Sequence, residues 1–236
     1  MEFKVNPLFR LNKIYLQDTE HFIVVIDDFL DNPDEVIAFA KEKAAFKQVG
    51  ADGTLYPGIR EAMPKNYIAN LETALTTVIS EHFYQQQPIK SLPPTAYLSL
   101  TTLAESDLNL YQKMPHVDCL EEHEFACVHY FCDQPHGGTS LYNFKAQNKI
   151  KLTTAERELM YEMVEAVKAT PDEHKGYLNQ STSVFERVGQ VQAQFNRLVV
   201  YPSNYLHCAD IDPDISCIND IETGRLSVAS FLGFSV

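Results

Sequence analysis

No stretch of this chain approaches the ~18 consecutive apolar residues that a membrane-spanning helix needs, so no transmembrane helix and no membrane partner are expected. Clustered basic residues are missing too: 19 Lys and Arg stand against 32 Asp and Glu, for a formal charge of -13. A groove that neutralises phosphates needs the opposite balance, so nucleic acid is not an expected partner, and acidity of this degree chiefly serves solubility. Cysteine is sparse and irregularly placed. Cys119, Cys127, Cys132, Cys208 and Cys217 form an odd set of five without a Cys-x-x-Cys spacing, which argues against a disulfide framework and against structural zinc. They read as reduced thiols, Cys119 and Cys208 packing in the core. No repeat, low-complexity tract or flexible linker is visible, and the opening Met1-Glu2-Phe3-Lys4 lacks a secretory pattern. The chain reads as cytoplasmic.

With 236 residues and 45% hydrophobic content, the chain is long enough to bury one substantial core. Its front section, residues 1–92, reads as helical support. A short β-branched run, Ile23-Val24-Val25-Ile26, precedes a helix that opens at Pro33-Asp34-Glu35 with acids at its positive end and runs to about Lys43. Gly50, Gly53, Pro57 and Gly58 mark a loop beyond it. A second helix is expected over 67–86, with Ile68, Leu71, Leu75, Val78, Ile79 and Phe83 on one stripe. From Pro93 the pattern changes to short strands rich in Val, Thr, Tyr and Phe, at 95–102, 110–118, 125–132, 139–143, 184–195, 197–201, 205–209 and 225–234. Such a series favours an antiparallel sandwich or jelly roll over 93–236. Residues 145–180 read as an insertion, whose helix begins at the capping box Thr153-Thr154-Ala155-Glu156 and carries the apolar stripe Leu159, Met160, Met163, Val164 and Val167. The expected class is α+β, mainly β, in a single domain.

The chemistry concentrates at Pro115-His116-Val117-Asp118. In extended backbone, His116 and Asp118 project to the same side and offer a nitrogen and a carboxylate oxygen to one metal. One further imidazole would complete a 2-His-1-carboxylate facial triad, which leaves coordination positions open for a cosubstrate and O2. The residues alone leave that imidazole undecided between His207 and His129, the latter lying in an alternating strand. A late arginine, Arg225, has the planar guanidinium suited to gripping a carboxylate bidentately, and Ser227 shares its face as a hydroxyl donor. Arg197 and Arg187 are the fallback anchors. The bland alternatives are a surface His-Asp pair, a core histidine at 207 and a structural salt bridge at 225.

These parts stand in a recognisable order. His116-Val117-Asp118, then Phe125-Ala126-Cys127-Val128-His129-Tyr130-Phe131, Gly137-Gly138-Thr139-Ser140-Leu141-Tyr142, Leu198-Val199-Val200-Tyr201-Pro202-Ser203 with Leu206-His207, and Gly224-Arg225-Leu226-Ser227-Val228 resemble the prolyl-4-hydroxylase-like branch of the Fe(II)/2-oxoglutarate-dependent oxygenases over about 93–236. Ile26-Asp27-Asp28-Phe29-Leu30 resembles the N-terminal entry of the same proteins. The resemblance implies a double-stranded β-helix (jelly-roll) core with N-terminal supporting helices and one helical insertion. It further implies Fe(II) on His116, Asp118 and His207, 2-oxoglutarate as cosubstrate with its far carboxylate on Arg225, and Tyr111, just upstream of the first ligand, lining the cosubstrate pocket. The 18 residues from His207 to Arg225 exceed the usual gap of that branch and read as an extra polar loop over 210–223. The implied reaction is O2-dependent hydroxylation of an amino-acid, peptidyl or small-metabolite carbon. A jelly-roll metal enzyme that dispenses with 2-oxoglutarate, and a non-catalytic binding protein on the same fold, are the rival readings. A homodimer is a base-rate expectation only.

Overall fold

The computed structural model describes residues 1–212 and 218–236, so Cys217 and part of the 210–223 loop lie outside the described residues. The largest unit is an antiparallel sheet whose strands, in spatial order, are β1 (Arg10–Tyr15), β2 (Phe22–Asp27), β9 (Arg197–Pro202), β6 (Glu124–Tyr130), β11 (Leu226–Ser235), β5 (Thr95–Thr101) and β3 (Gly58–Ala62). The short β4 (Lys90–Ser91) pairs with the far end of β11. A second sheet orders β10 (His207–Asp210), β7 (Gly138–Phe144) and β8 (Phe185–Gln192). The sheets face each other over Ala126, Tyr130, Val199 and Tyr201 from the first and Leu141, Val188 and Val191 from the second.

Side-chain alternation divides the first sheet into two faces. Leu98, Leu100, Phe125, Cys127, Leu198, Val200 and Val228 point away from the second sheet and pack under α1 (Asp34–Glu42) and α2 (Lys65–Phe83). Val36, Phe39 and Ala40 of α1, and Tyr67, Leu71, Leu75, Val78 and Ile79 of α2, are the helix sides of that core. This two-sided burial explains why β2 reads as an uninterrupted apolar run: Ile23 and Val25 face the other sheet while Val24 and Ile26 face the helices. A third helix, α3 (Leu159–Ala169), covers the outer face of the second sheet through Met163 and Val167, against Tyr142, Phe144, Phe185 and Leu206.

Several expectations are corrected. The first 92 residues are not helical alone: β1 and β2 extend the large sheet at one edge and β3 at the other, and β3 falls where the glycines suggested only loop. Gly58 is needed there because an added Cβ would sit 2.0 Å from Leu100 O across the ladder. No strand forms over 110–118; a 3-10 turn at Leu110–Lys113 is followed by extended backbone. The Thr153/Glu156 capping box is present, but it caps a 3-10 turn (Thr154–Glu156) ahead of α3.

His129, the rival ligand, is on the helix side of β6. It is fully buried, with Nδ1 2.9 Å from Tyr67 Oη and Nε2 3.1 Å from Asn196 Oδ1, and Phe29 and Phe131 pack against its ring. Burial pushes its pKa from the ordinary 6.5 down to about 3. Because this folded-state value lies below the unfolded one, the stabilisation is complete above pH 6.5 and is lost as the pH falls toward 3. Denaturant unfolding between pH 7 and 4 is therefore expected to show a His129 contribution of about 1.4 kcal/mol per pH unit below pH 6.5. His129→Gln is expected to flatten the slope by about one proton; an unchanged slope would refute the assignment.

Candidate metal centre and its cavity

His116, Asp118 and His207 meet with one ligand atom of each within 4.8 Å of the others. The meeting is made by backbone. His116 and His207 form an antiparallel bridge in which each N–H donates to the other's carbonyl at 2.9 Å, and Asp118 N–H donates to Ser203 O at 2.9 Å. The segment 114–119 is thereby fastened along β10 and the turn before it, and extended geometry turns residues 116 and 118 to the same side. The two imidazole centroids lie 4.5 Å apart. Asp118 stands between them, with Oδ2 3.3 Å from His207 Nε2 and Oδ1 3.7 Å from His116 Nε2.

His207 Nδ1 lies 3.0 Å from Tyr205 O, so it carries the proton and donates, and Nε2 is left toward the cluster. Tyr201 braces the ring from beneath at 4.8 Å between centroids. Burial alone would lower the His207 pKa, but the Asp118 carboxylate outweighs it and the net shift is upward. His116 moves the other way. Half of its side chain opens to the cavity, yet the surrounding protein still desolvates it, and His207 adds repulsion, so its pKa falls below the ordinary value. For Asp118 burial works toward a higher pKa, and the two histidines, with Arg60 beyond them, overcome it and hold the carboxyl ionised.

The cluster opens onto a cavity of about 1160 Å³ lined by strands of both sheets, by residues 114–121 and by α3. Arg225 lies in its wall, 3% exposed, immediately before β11. Its Nε donates to His136 O at 3.2 Å and its Nη2 to Gly138 O at 2.9 Å, so it also joins the two sheets. Gly137 makes those carbonyls available: it has a φ of +84°, and a Cβ there would meet Asp210 O at 1.6 Å. His136 Nε2 in turn donates to Thr223 O at 2.7 Å, which ties the end of the 210–223 loop to the same corner. Among the described residues none of the hydrogen bonds of Arg225 reaches a carboxylate. The fallback arginines are committed elsewhere: Arg197 grips Asp27 at 2.6 and 3.1 Å, and Arg187 binds Asn179 O beside Asp210.

Ser227 is buried in the cavity wall, opposite Ser99 on one neighbouring strand and Tyr130 on the other. Tyr111 is 55% exposed and belongs to the cavity's rim, on the 3-10 turn rather than on a strand. Cys208 is buried and bonds Leu178 O, while Cys119 is half-buried at the cavity's edge. Sequence reasoning missed Arg60, which is 7% exposed, lines the same cavity and is paired with Asp52 at 3.2 Å. The only available signal was the alternation of β3, too short to stand out beside three glycines. The insertion helix α3 was expected; that its Met160, Tyr161 and Val164 help wall the cavity was not.

A model of one family matches residues 7–232. The chain belongs to the Family of unknown function (DUF6445). No curated protein matches the sequence of this DUF6445 member. Its fold is similar to a Pseudomonas putida prolyl-4-hydroxylase, at 14% identity and a TM-score of 0.45, covering 91% of this chain and 93% of that one. HygX from Streptomyces hygroscopicus, solved with nickel, 2-oxoglutarate and hygromycin B, gives 13% identity and a TM-score of 0.45, over 89% and 82% of the two chains. A 2OG-Fe(II) oxygenase family oxidoreductase from Burkholderia pseudomallei gives 7% identity and 0.44, over 90% and 84%. These likenesses are distant by both measures, and the functional reading rests on the side chains. Among the described residues of the DUF6445 chain, no helix is long and apolar enough to cross a membrane.

The charge arrangement predicts a specific NMR titration of the metal-free protein. His207 is expected to titrate above 6.5 and His116 below it. In Asp118→Ala the carboxylate that raises His207 is gone and burial remains, so the His207 pKa is expected to drop below its ordinary value. A His207 pKa unmoved by that substitution would show that the carboxylate does not govern it.

Proposed function

We propose that this protein is an Fe(II)- and 2-oxoglutarate-dependent dioxygenase, built on a jelly-roll sandwich, that hydroxylates a carbon of a small-molecule or peptidyl substrate. One observation carries the reading: a His, His, Asp cluster opens onto a cavity whose wall holds a buried arginine bonded only to backbone carbonyls among the described residues. The donor set fits the metal. Two imidazole nitrogens and one carboxylate oxygen on one side of an ion are the facial triad of non-haem iron, and the cavity leaves the opposite side free. Arg225 fits the cosubstrate, since a desolvated guanidinium favours an anion that completes its charge.

In this reading His116, Asp118 and His207 hold the ion, and Arg225 holds the far carboxylate of 2-oxoglutarate. Fe(II) with 2-oxoglutarate supplies the oxidising chemistry, coupling reduction of O2 and decarboxylation of the cosubstrate to hydroxylation of a substrate carbon. The rest falls to the chain. Tyr205 O keeps the His207 proton on Nδ1, so that Nε2 is available as a donor. Asp118, already ionised, brings the negative charge an incoming cation needs. Ser227 presents a hydroxyl to the cavity next to Arg225, and its side chain makes no protein hydrogen bond among the described residues. Tyr111, at the rim, is better placed to meet a substrate than the cosubstrate.

Anaerobic titration tests the assignment. Fe(II)-loaded protein is expected to develop a metal-to-ligand charge-transfer band when 2-oxoglutarate is added. Asp118→Ala is expected to lose at least about 100-fold in iron affinity, since removing even an outer partner of a ligand costs roughly 10- to 100-fold. Arg225→Gln is expected to keep iron and lose most of the affinity for 2-oxoglutarate. Iron binding without the band would remove 2-oxoglutarate from the reading, and equal iron content in wild type and Asp118→Ala would remove the triad.

A further inference from the structure

The cavity holds a second buried arginine that the metal and cosubstrate assignments leave unused. Arg60 pairs across β3 and β5 with Ser99, which pairs with Ser227 on β11, so the three lie in one row across the cavity floor. At about 4.8 Å per strand, Arg60 stands roughly 10 Å from β11, the strand that Arg225 immediately precedes. It is held firmly. Nε donates to Ser99 Oγ at 3.2 Å, Nη1 donates to Asp52 Oδ2 and Thr54 Oγ1 at 3.2 Å, and the guanidinium lies 4.5 Å from the Tyr97 ring and 5.3 Å from that of Tyr56. Nη2 has no protein hydrogen bond among the described residues. A guanidinium fixed through Nε and Nη1 keeps Nη2 as its uncommitted donor, a charge-assisted hydrogen bond suited to a carboxylate oxygen.

Four large apolar side chains in the lining of the same cavity are exposed, beside the charged Arg157, Glu165 and Lys168. Leu55, Tyr111, Met160 and Tyr161 are 56%, 55%, 38% and 72% exposed, and all four line this cavity. They come from three separate segments, the 50–57 loop, the 3-10 turn at Leu110–Lys113 and α3. Large apolar side chains converging from unconnected segments on one rim mark a binding surface rather than scattered exposure. Asp52, which shares Nη1 of Arg60, stands between Gly50 and Gly53, both at positive φ with open space around them.

We propose that Arg60 recognises a carboxylate on the primary substrate, and that this substrate is a small carboxylic acid with an apolar or aromatic body lying between the 50–57 loop and α3. The proposal rests on the oxygenase reading only for what happens to that body over the triad. The uncommitted Nη2 and the exposed apolar lining exist whatever metal the triad binds.

The test is direct binding to metal-free full-length protein, by calorimetry or ligand-observed NMR, of 3-phenylpropionate against its neutral isostere 3-phenylpropanamide. The acid is expected to bind at least about tenfold more tightly than the amide. Arg60→Gln is expected to abolish that preference and Arg225→Gln to leave it intact. Arg60→Lys, which keeps the charge and guards against a misfolded Gln variant, is expected to retain part of it. Asp52→Asn, by removing the competing carboxylate, is expected to strengthen binding of the acid, an effect that a purely structural Arg60–Asp52 tie would not produce. Equal binding of acid and amide, no binding of either up to about 10 mM, a preference that survives Arg60→Gln, or one lost in Arg225→Gln instead would each overturn the proposal. The charge-transfer titration on the same proteins reads the metal and cosubstrate separately, so failure of one assignment is distinguishable from failure of the other.

Discussion

Two reciprocal backbone hydrogen bonds between His116 and His207, each 2.9 Å, are the constraint on which the site depends. They join segments that are ninety-one residues apart in the chain, and they do so without using either side chain. Once the bridge is formed, the alternation of extended backbone directs both imidazoles and the Asp118 carboxylate to one place. Asp118 adds its own N–H bond to Ser203 O, which keeps the segment from sliding by a residue. A slip of one position would turn His116 and Asp118 to the opposite side and dissolve the cluster.

The large sheet serves both faces. Toward the helices it presents a dry apolar layer, in which His129 survives as a neutral, doubly hydrogen-bonded group. Toward the second sheet it presents Ser99, Ser227 and two arginines, an arrangement that would be costly unless the charges were held by carbonyls, aromatic faces or a carboxylate. Arg225 uses carbonyls and the face of Tyr130, 5.8 Å away, and Arg60 uses aromatic faces and a carboxylate. The polar row is affordable because the cavity, rather than packed side chains, lies above it.

Much of the later chain was legible. The strands from β5 to β11, both supporting helices and α3 fall close to where periodicity and turn residues set them, because each has a strong local signal. The early strands were harder. β2 is buried on both faces and shows no alternation, and β3 is five residues long behind a glycine-rich loop, so neither announces its partner. For the site, the tripeptide His116-Val117-Asp118 was readable from spacing, while His207 and His129 were not separable. Their difference lies in which face of a sheet each occupies, and that is set by pairing with distant strands.

By itself the sequence determined which candidate ligand residues are present, their order, and an acidic chain with a β-rich later part. It also set the parity within each strand, since alternation is a property of the backbone. Tertiary structure alone decided which parity faces which layer. That choice sent His129 under α2, brought His207 beside His116, delivered Arg60 from the front of the chain to the cavity floor, and left Arg225 bonded to the backbone of β7 rather than to an acid among the described residues. The physical reason is that these placements depend on contacts between segments far apart in the chain, and no local pattern encodes the partner.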